Sequence, residues 1–480
     1  MDRVLLFLSV LGACVILCQW YMVVRLRKYL LGKDREMRRL WCYSILIILG
    51  LINLVGLHLS VSSPLLPVDS DGRKVAAVVM FSYYGCTLVL CVFFLALGVL
   101  VKGLQLMQPI AVFVRKVCVN FPLPKLDQSG FVRTRDLTSG IEEPKDSGQK
   151  ENAPVVVNPT DLVSPKGSSR SGNEERKEPM NPPRRVFLQW AAGAAVAGTV
   201  GLALKGIGEG FGTPLFREFE IFHPALDGLD RPLTFLQVSD FHYGFFFGSK
   251  ELDELIGLLN SLNGDALCLT GDVFHSPMSP VERAVPILKK LKPRIVGNFV
   301  IMGNHEFYTG EHRTVQAFKD SGLRILRNEW LTFERGDTCI QLGGVDDPMT
   351  NWLWGKEFPL FRDFVKNAPR SPGFKILLSH RPNVLPFAAE ARFDVVLAGH
   401  THGGQIILPV PTMDRGMSLA GLVSAYTRGW YHMGPTRMYL SSGVGLTFVP
   451  WRINCPPEIA VFHLTPSRAG NKRVWQIQSR

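Results

Sequence analysis

The sequence lacks the cysteine spacings of a zinc finger or a disulfide framework, although its 480 residues include nine cysteines. Six cysteines lie before residue 120, and the others are Cys268, Cys339 and Cys455. The sequence also has no GxxxxGK[ST] phosphate loop and no GxSxG nucleophile motif. ATP-driven chemistry and a serine hydrolase triad are therefore not indicated, and the cysteines leave the redox compartment open.

Acidic residues are in deficit, with 41 Asp and Glu against 53 Lys and Arg, for a formal net charge of +12. A basic balance of this kind is a common sign of nucleic-acid binding. Here much of the excess flanks apolar stretches, so no nucleic-acid partner is predicted. The hydrophobic content of 46% instead points to membrane segments, and the membrane lipid bilayer is the predicted partner.

Long apolar runs occupy residues 4–24, 40–61 and 75–101, and each is about long enough to span a bilayer. The alternative is three buried helices of a soluble protein, but three such runs are rare in one soluble chain. The loop between the first two runs is rich in basic residues: Arg25, Arg27, Lys28, Lys33, Arg35, Arg38 and Arg39. Basic loops stay in the cytoplasm, so the N-terminus is expected outside and the stretch after Val101 inside.

Composition divides the rest of the chain. Residues 1–121 form a predicted membrane domain with three transmembrane helices, and residues 122–183 are a flexible linker rich in Pro, Ser, Gly, Glu and Lys. Residues 184–206 begin with Arg184-Arg185 and continue as an Ala/Gly-rich apolar run. This segment has three interpretations: a fourth span with an arginine anchor, a span exported by a twin-arginine signal, or a packed helix of the soluble domain.

The first two interpretations place everything after Gly206 outside the cytoplasm. We therefore expect an integral protein of a bacterial inner membrane with an extracytoplasmic catalytic domain. That domain covers residues 207–465, and residues 466–480 form a basic, frayed tail.

Five short apolar runs in the second half of the chain are each followed at once by polar, metal-binding residue types. The runs cover residues 234–238, 266–269, 299–302, 375–378 and 395–398 and are typical of buried strands. The polar pieces are Asp240-Phe241-His242, Gly271-Asp272, Gly303-Asn304-His305-Glu306, Ser379-His380 and Gly399-His400-Thr401-His402. Because the C-terminal ends of strands in an open α/β sheet share one ligand-binding edge, we expect these residues to meet.

The residue types in these pieces indicate a pair of metal ions. Seven side chains offer three oxygen ligands and four imidazoles: Asp240, His242, Asp272, Asn304, His380, His400 and His402. A single catalytic ion usually keeps three protein ligands, so seven suit two divalent ions about 3.5–4 Å apart that share a carboxylate. Nitrogen and oxygen ligands without a thiolate favour Mn, Fe or Zn.

Helical periodicity alternates with the strands, at residues 251–262, 281–291 and 314–321. Further strands are predicted at residues 339–342, 438–441 and 459–464. Alternating helices and strands predict an α/β layered sandwich.

In this order the pieces DxH, GD, GNHE, H and GHTH resemble the calcineurin-like metallophosphoesterases, across about residues 230–464. The longer string Gly399–Gln405 and the closing stretch 452–458 are similar to the membrane-associated bacterial YkuE/YaeI-type subfamily. The resemblance implies a four-layer β-sandwich flanked by helices, here preceded by transmembrane helices.

The resemblance also implies roles for the residues. Asp240, His242, Asp272 and His402 would bind the first metal, and Asp272 would bridge to a second metal held by Asn304, His380 and His400. A hydroxide between the metals would attack phosphorus, and His305, which binds no metal, would act as the general acid on the leaving oxygen. Glu306 would orient either the backbone or His305.

Two residues near the motifs each have two alternative roles. His275 follows Gly271-Asp272 where relatives often carry an acidic residue, and it either contacts phosphate or caps the loop. Arg381 follows a ligand histidine, and it either contacts substrate anions or lies on the surface.

The substrate prediction rests on aromatic clusters at residues 245–247, 352–354 and 430–431, which suit a lipid–water boundary if they are exposed. We expect a metal-dependent phosphoester hydrolase for a lipid or other amphiphilic phosphoester, with monoester or phosphodiester chemistry left open. The alternatives are a UDP-2,3-diacylglucosamine pyrophosphatase-like hydrolase, whose nucleotide substrate is cytosolic, and a non-catalytic membrane receptor that retains the fold.

Overall fold

A computed structural model of the chain describes residues 17–21, 23, 77–87, 89–92, 182–349, 359–411, 413–466 and 476–479. The predicted run 40–61 and the predicted linker up to residue 181 lie outside these ranges. The described parts of the runs 4–24 and 75–101 are helical. In the portions of the chain just given, no helix combines the length and the apolar character needed to cross a membrane.

The described residues from 182 onward contain seven α-helices. They are α1 Pro182–Gly210, α2 Ser249–Ser261, α3 Val281–Leu288, α4 Asn304–Asp320, α5 Pro359–Lys366, α6 Leu385–Glu390 and α7 Leu419–Val423, with short 3-10 turns at Pro224–Leu226, Pro382–Val384 and His402–Gly404. The strands are β1 Leu215–Phe222, β2 Leu233–Val238, β3 Ala266–Leu269, β4 Gly297–Val300, β5 Arg324–Ile325, β6 Glu329–Arg335, β7 Thr338–Val345, β8 Phe374–Ser379, β9 Val395–Ala398, β10 Leu408–Val410, β11 Met413–Met417, β12 Gly429–Met433, β13 Thr436–Leu440, β14 Glu458–Thr465 and β15 Gln476–Ser479.

The strands form two mixed sheets and a small hairpin. The first sheet has the order β15-β1-β14-β2-β3-β4-β5, and its central neighbours β2, β3 and β4 are parallel. The second has the order β12-β13-β9-β8-β7-β6, and β7, β8 and β9 are parallel. Strands β10 and β11 pair with each other.

Three apolar cores separate four layers. In β3, Ala266 and Cys268 point into the core between the two sheets, and Leu267 and Leu269 point toward helices α2 to α4. The second sheet alternates in the same way, because Ile376 faces the other sheet and Leu377 faces α5 and α6. The period of two along each strand therefore produces a helix–sheet–sheet–helix sandwich, which confirms the predicted α/β fold.

The predicted elements of the catalytic domain are confirmed with shifts of a few residues at their ends. The largest difference is α4, which begins at Asn304, ten residues before the predicted start. Gly310 inside it has φ 117° and interrupts the regular helix, so the sequence periodicity reports only its second half.

The C-terminal tail differs from the expectation of a frayed segment. Gln476–Ser479 pairs antiparallel with β1, opposite Phe219 to Phe222, and becomes the edge strand of the first sheet. Backbone hydrogen bonds to an unpaired sheet edge do not need an apolar sequence, so composition gave no sign of this strand.

Helix α1 covers the segment with three interpretations. Its last turns contact the catalytic domain, where the Gly206 carbonyl accepts a hydrogen bond from Arg452 N and Glu209 accepts one from Cys455 N. Closer to the start of α1 the described side chains are more exposed, and Trp190 is 77% exposed. The choice among the three interpretations, and the domain boundaries predicted above, stay predictions.

Candidate metal centre

Every predicted ligand lies just beyond the C-terminal end of a strand or in the following turn. In the first sheet β2 leads to Asp240 and His242, and β3 leads to Asp272, while Asn304 opens helix α4 after β4. In the second sheet, β8 ends beside His380, and β9 leads to His400 and His402. The two sheets thus bring their strand ends to a common edge, as the sequence indicates.

Asp240, His242 and His402 form the first potential metal-binding group, with one ligand atom of each within 4.8 Å of the others. The Nε2 atoms of His242 and His402 are 2.7 Å apart, and Asp240 Oδ1 is 3.5 Å from His402 Nε2. All three residues are buried. Two ring nitrogens and a carboxylate oxygen that face one point are suited to hold one cation.

Asp272, His380 and His400 form the second group by the same criterion. Asp272 Oδ2 is 3.1 Å from His380 Nε2, and His380 Nε2 is 3.1 Å from His400 Nδ1. The same Asp272 oxygen is 3.7 Å from His242 Nε2 of the first group. Asp272 therefore lies between the two groups, in the position of a shared ligand.

Asn304 supplies the test of whether the residues fit two cations. Its side chain is buried at the start of α4, and its Oδ1 has no hydrogen-bond partner in the described part of the chain. A buried carbonyl oxygen without a donor is costly, and a cation beside Asp272 would satisfy it. The donor set and this unpaired oxygen fit a pair of divalent ions, and the ligand assignments stay predictions.

The backbone at the site is unusual. Among the described residues, eleven that are not glycine have a positive φ, and five of them are predicted ligands: Asp240, His242, Asp272, His400 and His402. Residues other than glycine rarely adopt this left-handed backbone conformation, and such strain is concentrated at functional sites. The strand-end turns thus hold these side chains in orientations that ordinary strand geometry does not provide.

Glycines in the motifs leave the space that the ligands occupy. A Cβ atom on Gly303 would lie 2.3 Å from Asp272 Oδ1, and one on Gly399 would lie 2.6 Å from Asp240 Oδ2. Both contacts are too close for real atoms, so any larger residue would displace a carboxylate of the site.

Burial dominates the electrostatics of the site. Burial, together with the charge of Asp272, raises the pKa of Asp240 to about 6. Burial and neighbouring cationic side chains hold the pKa values of His242, His400 and His402 well below the usual value for histidine. Neutral imidazoles with free lone pairs are the form in which histidine binds metals.

The pKa of His380 shifts in the opposite direction. Burial disfavours its charged form, but the charge and hydrogen bond of Asp272 outweigh burial and raise its pKa to about 10. Its Nδ1 contacts the Thr270 carbonyl oxygen at 2.8 Å, which leaves Nε2 facing Asp272. A cation at this point would take the place of the proton between His380 and Asp272.

Glu306 is fully buried and orients backbone groups. Its carboxylate accepts hydrogen bonds from the N–H groups of Gly303, Asp272 and Phe274 at 2.8, 2.8 and 3.1 Å. Of the two alternatives for Glu306, the backbone one is therefore correct. The carboxylate ties the turn after β3 to the start of α4.

The His305 ring lies beside the first group, 4.5 Å from the His242 ring between centroids. Its backbone N–H donates to Asp272 Oδ1 at 2.9 Å, and its Nδ1 contacts the backbone carbonyl of His275. The Nδ1 contact leaves Nε2 as the ring atom available to a bound substrate. This placement is compatible with the predicted general acid, which stays a prediction.

His275 and Arg381 are more involved than the sequence suggested. His275 Nδ1 lies 3.2 Å from His242 Nδ1, so the ring contacts a predicted ligand and is more than a loop cap. Arg381 is 2% exposed and donates from Nε to Asp347 Oδ2 at 2.5 Å, which excludes the surface alternative. Contacts in the fold, and no feature of the sequence, decide what each of the two residues does.

Arg452 is a further residue of the site region, and the sequence motifs predict no role for it. It is fully buried and donates to the backbone carbonyls of Ser442 at 2.8 Å and Gly445 at 2.6 Å. These bonds fasten the loop after β13 beneath His402. A buried arginine satisfied by carbonyls is a structural tie, and it stabilises the floor of the site.

None of the predicted aromatic clusters is exposed in the part of the chain that the structure describes. Phe246 is buried, Phe245 is half-buried, and Trp430 packs on Phe219 between the sheets. Residues 352–354 lie outside the described residues. A set of exposed apolar side chains lies instead on β10, β11 and α7: Leu408, Met413, Met417, Leu419, Leu422 and Val423. We call this set the apolar platform.

Comparison with known sequences finds one matching family. The sequence model described as calcineurin-like phosphoesterase matches residues 233–404. An uncharacterized metallophosphoesterase of Helicobacter pylori is 30% identical over 272 residues, which cover 56% of this chain and 68% of the relative. YkuE of Bacillus subtilis, also an uncharacterized metallophosphoesterase, is 28% identical, with 58% of this chain and 97% of YkuE covered.

A third relative, from Danio rerio, is named a transmembrane protein with metallophosphoesterase domain. It is 29% identical, and the match covers 54% of this chain and 60% of the relative. Among solved structures, a dimetal phosphatase from Danio rerio matches with a TM-score of 0.32 and 14% identity, covering 52% of this chain and 99% of that one. That structural similarity is too low to indicate function.

Proposed function

Since the chain belongs to the calcineurin-like metallophosphoesterase family and is a metal-dependent phosphoester hydrolase, we propose that it is a membrane-anchored, two-metal enzyme for a lipid or other amphiphilic phosphoester. Family membership, and the YkuE-type branch within it, confirm what the motifs predict. The observation that carries the proposal is the convergence of Asp240, Asp272, Asn304 and four histidines at one edge of two sheets.

The proposed ligand sets follow the two groups. Asp240, His242 and His402 hold one ion, Asn304, His380 and His400 hold the other, and Asp272 serves both. Divalent ions bound there supply positive charge and an activated water to the hydrolysis of a phosphoester. Mn, Fe and Zn all suit the donor set.

The remaining residues position and protonate. His305 donates the proton from Nε2 to the leaving oxygen, since its Nδ1 is engaged with the His275 carbonyl. Glu306 keeps the N–H groups of Gly303 and Asp272 fixed, which holds Asp272 and the start of α4 in register. Arg381 adds a buried positive charge beside the second group, and its Nη1 has no partner among the residues described, so it can donate to a substrate anion.

The apolar platform supports an amphiphilic substrate. Leu419 is 73% exposed and Leu422 is 70% exposed, both on the five-residue helix α7. The platform lies close to the first ligand group, because Ser418, which caps α7, packs against Gly404, two residues after His402. Exposed apolar residues grouped beside a hydrolytic site are suited to contact acyl chains or a bilayer surface.

Membrane anchoring rests on the sequence and on the relatives. The runs 4–24, 40–61 and 75–101 have the length of spans, and relatives from Danio rerio and Bos taurus are named transmembrane proteins. With the basic loop in the cytoplasm and residues 184–206 as a fourth span, the catalytic domain is extracytoplasmic. The test is a fusion, after residue 480, of a reporter that works only in the cytoplasm. Activity of that reporter would contradict this orientation.

The enzyme proposal is tested with the purified full-length chain and its Asp272→Ala variant. Each is loaded in turn with Mn, Fe or Zn and assayed against soluble phosphoesters, phospholipids in vesicles and nucleotide diphosphate sugars. We expect two bound ions per wild-type chain by elemental analysis and a loss of at least roughly a thousand-fold in rate for the variant. Full activity in Asp272→Ala would rule out the proposal.

Asp265→Asn is the matched control, because Asp265 precedes the same strand, β3, at the opposite end and pairs with Arg231. It should keep both ions and the wild-type rate. A wild-type chain that hydrolyses soluble esters and no lipid phosphate in vesicles would refute the lipid part of the proposal alone.

A further inference from the structure

A helical segment far from the site in sequence packs beside it. Residues 77–87 are helical, and Ala77, Met80, Phe81 and Tyr84 are buried in a small apolar core with Phe246 and Leu446 of the catalytic domain. This segment belongs to the third predicted span, which covers residues 75–101. The predicted membrane region therefore contacts the catalytic domain directly.

Aromatic rings connect this segment to the site. The Phe81 ring meets Phe245 edge-on at 5.2 Å between centroids and 81° between planes. Phe245 stacks face to face on His275, with centroids 4.3 Å apart and planes 4° apart. Ring pairs in these geometries resist rotation of either partner, so Phe81 limits the positions open to His275.

His275 contacts two residues of the site at once. Its Nδ1 lies 3.2 Å from Nδ1 of His242, a predicted ligand, and its backbone carbonyl contacts Nδ1 of His305, the proposed acid. Partners behind a ligand histidine fix the ring orientation and the nitrogen that it presents. The ring of His275 therefore supports His242, and its backbone carbonyl supports His305.

A second contact fixes the segment along its own axis. Trp451 donates from Nε1 to Ser82 Oγ at 3.0 Å, and a Cβ on Gly85 would lie 2.7 Å from the Trp451 ring. The Trp451 ring also lies against Gly206 of α1. These contacts restrict both rotation of the segment about its helix axis and movement along that axis, so Phe81 has a defined position.

We propose that residues 77–87 are a positioning element of the site, in which Phe81 acts through Phe245 and His275 to place His242 and His305. The inference rests on the proposed phosphoester hydrolysis and adds a structural route from the membrane region to the reacting groups. Phe81 and Phe245 are positioning residues, since neither touches the ligand set itself.

The test compares Phe81→Ala with Val79→Ala in the full-length chain. Val79 lies on the same helical segment but is 59% exposed, so its variant controls for loss of apolar volume there. Activity is measured on an alkyl phosphate and on p-nitrophenyl phosphate. The alkyl leaving group needs a proton from His305, whereas p-nitrophenolate leaves without one.

We expect Phe81→Ala to lower kcat for the alkyl ester roughly ten-fold and kcat for the p-nitrophenyl ester less than three-fold, with KM little changed. Phe81→Leu, which keeps the bulk, should lie between Phe81→Ala and the wild type. The Phe81→Ala/Phe245→Ala double variant should lose no more than Phe245→Ala alone, because both residues act through His275. Additive losses would overturn the inference.

A second measurement does not depend on activity. Modification of histidines by diethyl pyrocarbonate, read by peptide mass spectrometry, should be faster at His275 and His305 in Phe81→Ala than in the wild type, because Phe245 would no longer be held against His275. The surface residue His432 should be unchanged in every variant. Equal modification rates in Phe81→Ala and Val79→Ala would refute the inference. Inactivity of the wild type toward both esters would refute the proposed function, and the modification rates would still decide the inference.

Discussion

At the scale of single residues, one carboxylate organises the turns of the site. Glu306 is fully buried and accepts hydrogen bonds from three backbone N–H groups, those of Gly303, Asp272 and Phe274. Burial, with the charge of Asp272, raises the pKa of Glu306 to about 7. Its geometry demands an acceptor-only side chain, which glutamine cannot supply because one of its two ends is a donor.

Glu306→Gln should therefore destabilise the metal-free chain by about 1–3 kcal/mol, because an amide N–H₂ would face backbone donors. Urea unfolding in the presence of a chelator measures this loss without the contribution of bound ions. Glu311→Gln is the control on the same helix, since Glu311 forms an exposed salt bridge with Arg327 at 2.8 Å. It should change stability by about 0.5 kcal/mol or less.

The buried pair of Arg381 and Asp347 is the second residue-scale feature. Its partners are 2.5 Å apart, and both residues are almost wholly buried. Breaking such a pair leaves one charge without a partner in a poorly solvated place. The pair thus joins the turn after β8 to the end of β7.

Arg381→Met alone should cost about 3–5 kcal/mol of unfolding free energy, and adding Asp347→Leu should recover most of it. If Arg381 also donates to substrate, the double variant stays far less active than the wild type although it is folded. Thermal unfolding and KM for a phosphomonoester measure the two effects separately. A double variant whose instability is the sum of the single losses would contradict the buried-pair account.

At the scale of elements, the strand-end turns decide the site. The turns after β2, β3 and β9 carry ligands at positive φ, and glycines leave room for neighbouring ligands, as Gly303 does for Asp272. Gly303 itself has an extended backbone, with φ −88° and ψ −178°. Its constraint is therefore the space for a side chain and not its backbone angles.

Gly303→Ala should push Asp272 away from its place and weaken metal binding by roughly ten- to a hundred-fold, the range seen for groups that support metal ligands. The measurement is the metal concentration that restores half of the activity. Gly257→Ala is the control, because Gly257 lies in α2 with no atom within 4 Å of an added Cβ. It should leave metal binding unchanged and stabilise the chain by about 0.5–1 kcal/mol.

The strands that lead to the ligands are visible in the sequence. Runs such as 266–269 and 395–398 coincide with β3 and β9, because four apolar residues in a row can be buried on both faces only in a central strand. The hairpin β10–β11 and helix α7 are among the elements that the sequence did not predict. Their apolar side chains are exposed, so burial imposes no periodicity on them.

At the scale of the whole molecule, the apolar platform and residues 77–87 both adjoin the ligand groups. One is exposed on α7 and the hairpin, and the other is packed on Phe246. A lipid substrate would meet the platform with its acyl chains while its phosphoester reaches the metals. The platform should therefore matter for substrates in a bilayer and not for soluble ones.

Leu422→Ser should lower the rate on a phospholipid in vesicles about ten-fold, since removing one inserted leucine costs roughly 1.5 kcal/mol of interfacial burial. The rate on p-nitrophenyl phosphate should not change. Ile295→Ser is the control: Ile295 is 65% exposed but precedes β4, at the opposite end of that strand from Asn304. Equal vesicle rates for both variants would exclude the platform as a lipid contact.

The sequence alone determined the family, the layered α/β fold and the seven side chains that meet at the strand ends. It did so because a strand's periodicity and the chemistry of metal ligands are both local properties of the chain. The tertiary structure alone decided that His275 backs His242, that Arg381 is buried with Asp347, and that residues 77–87 reach the site through Phe245. These contacts join residues distant in sequence through packing, and no local pattern encodes which surfaces will touch.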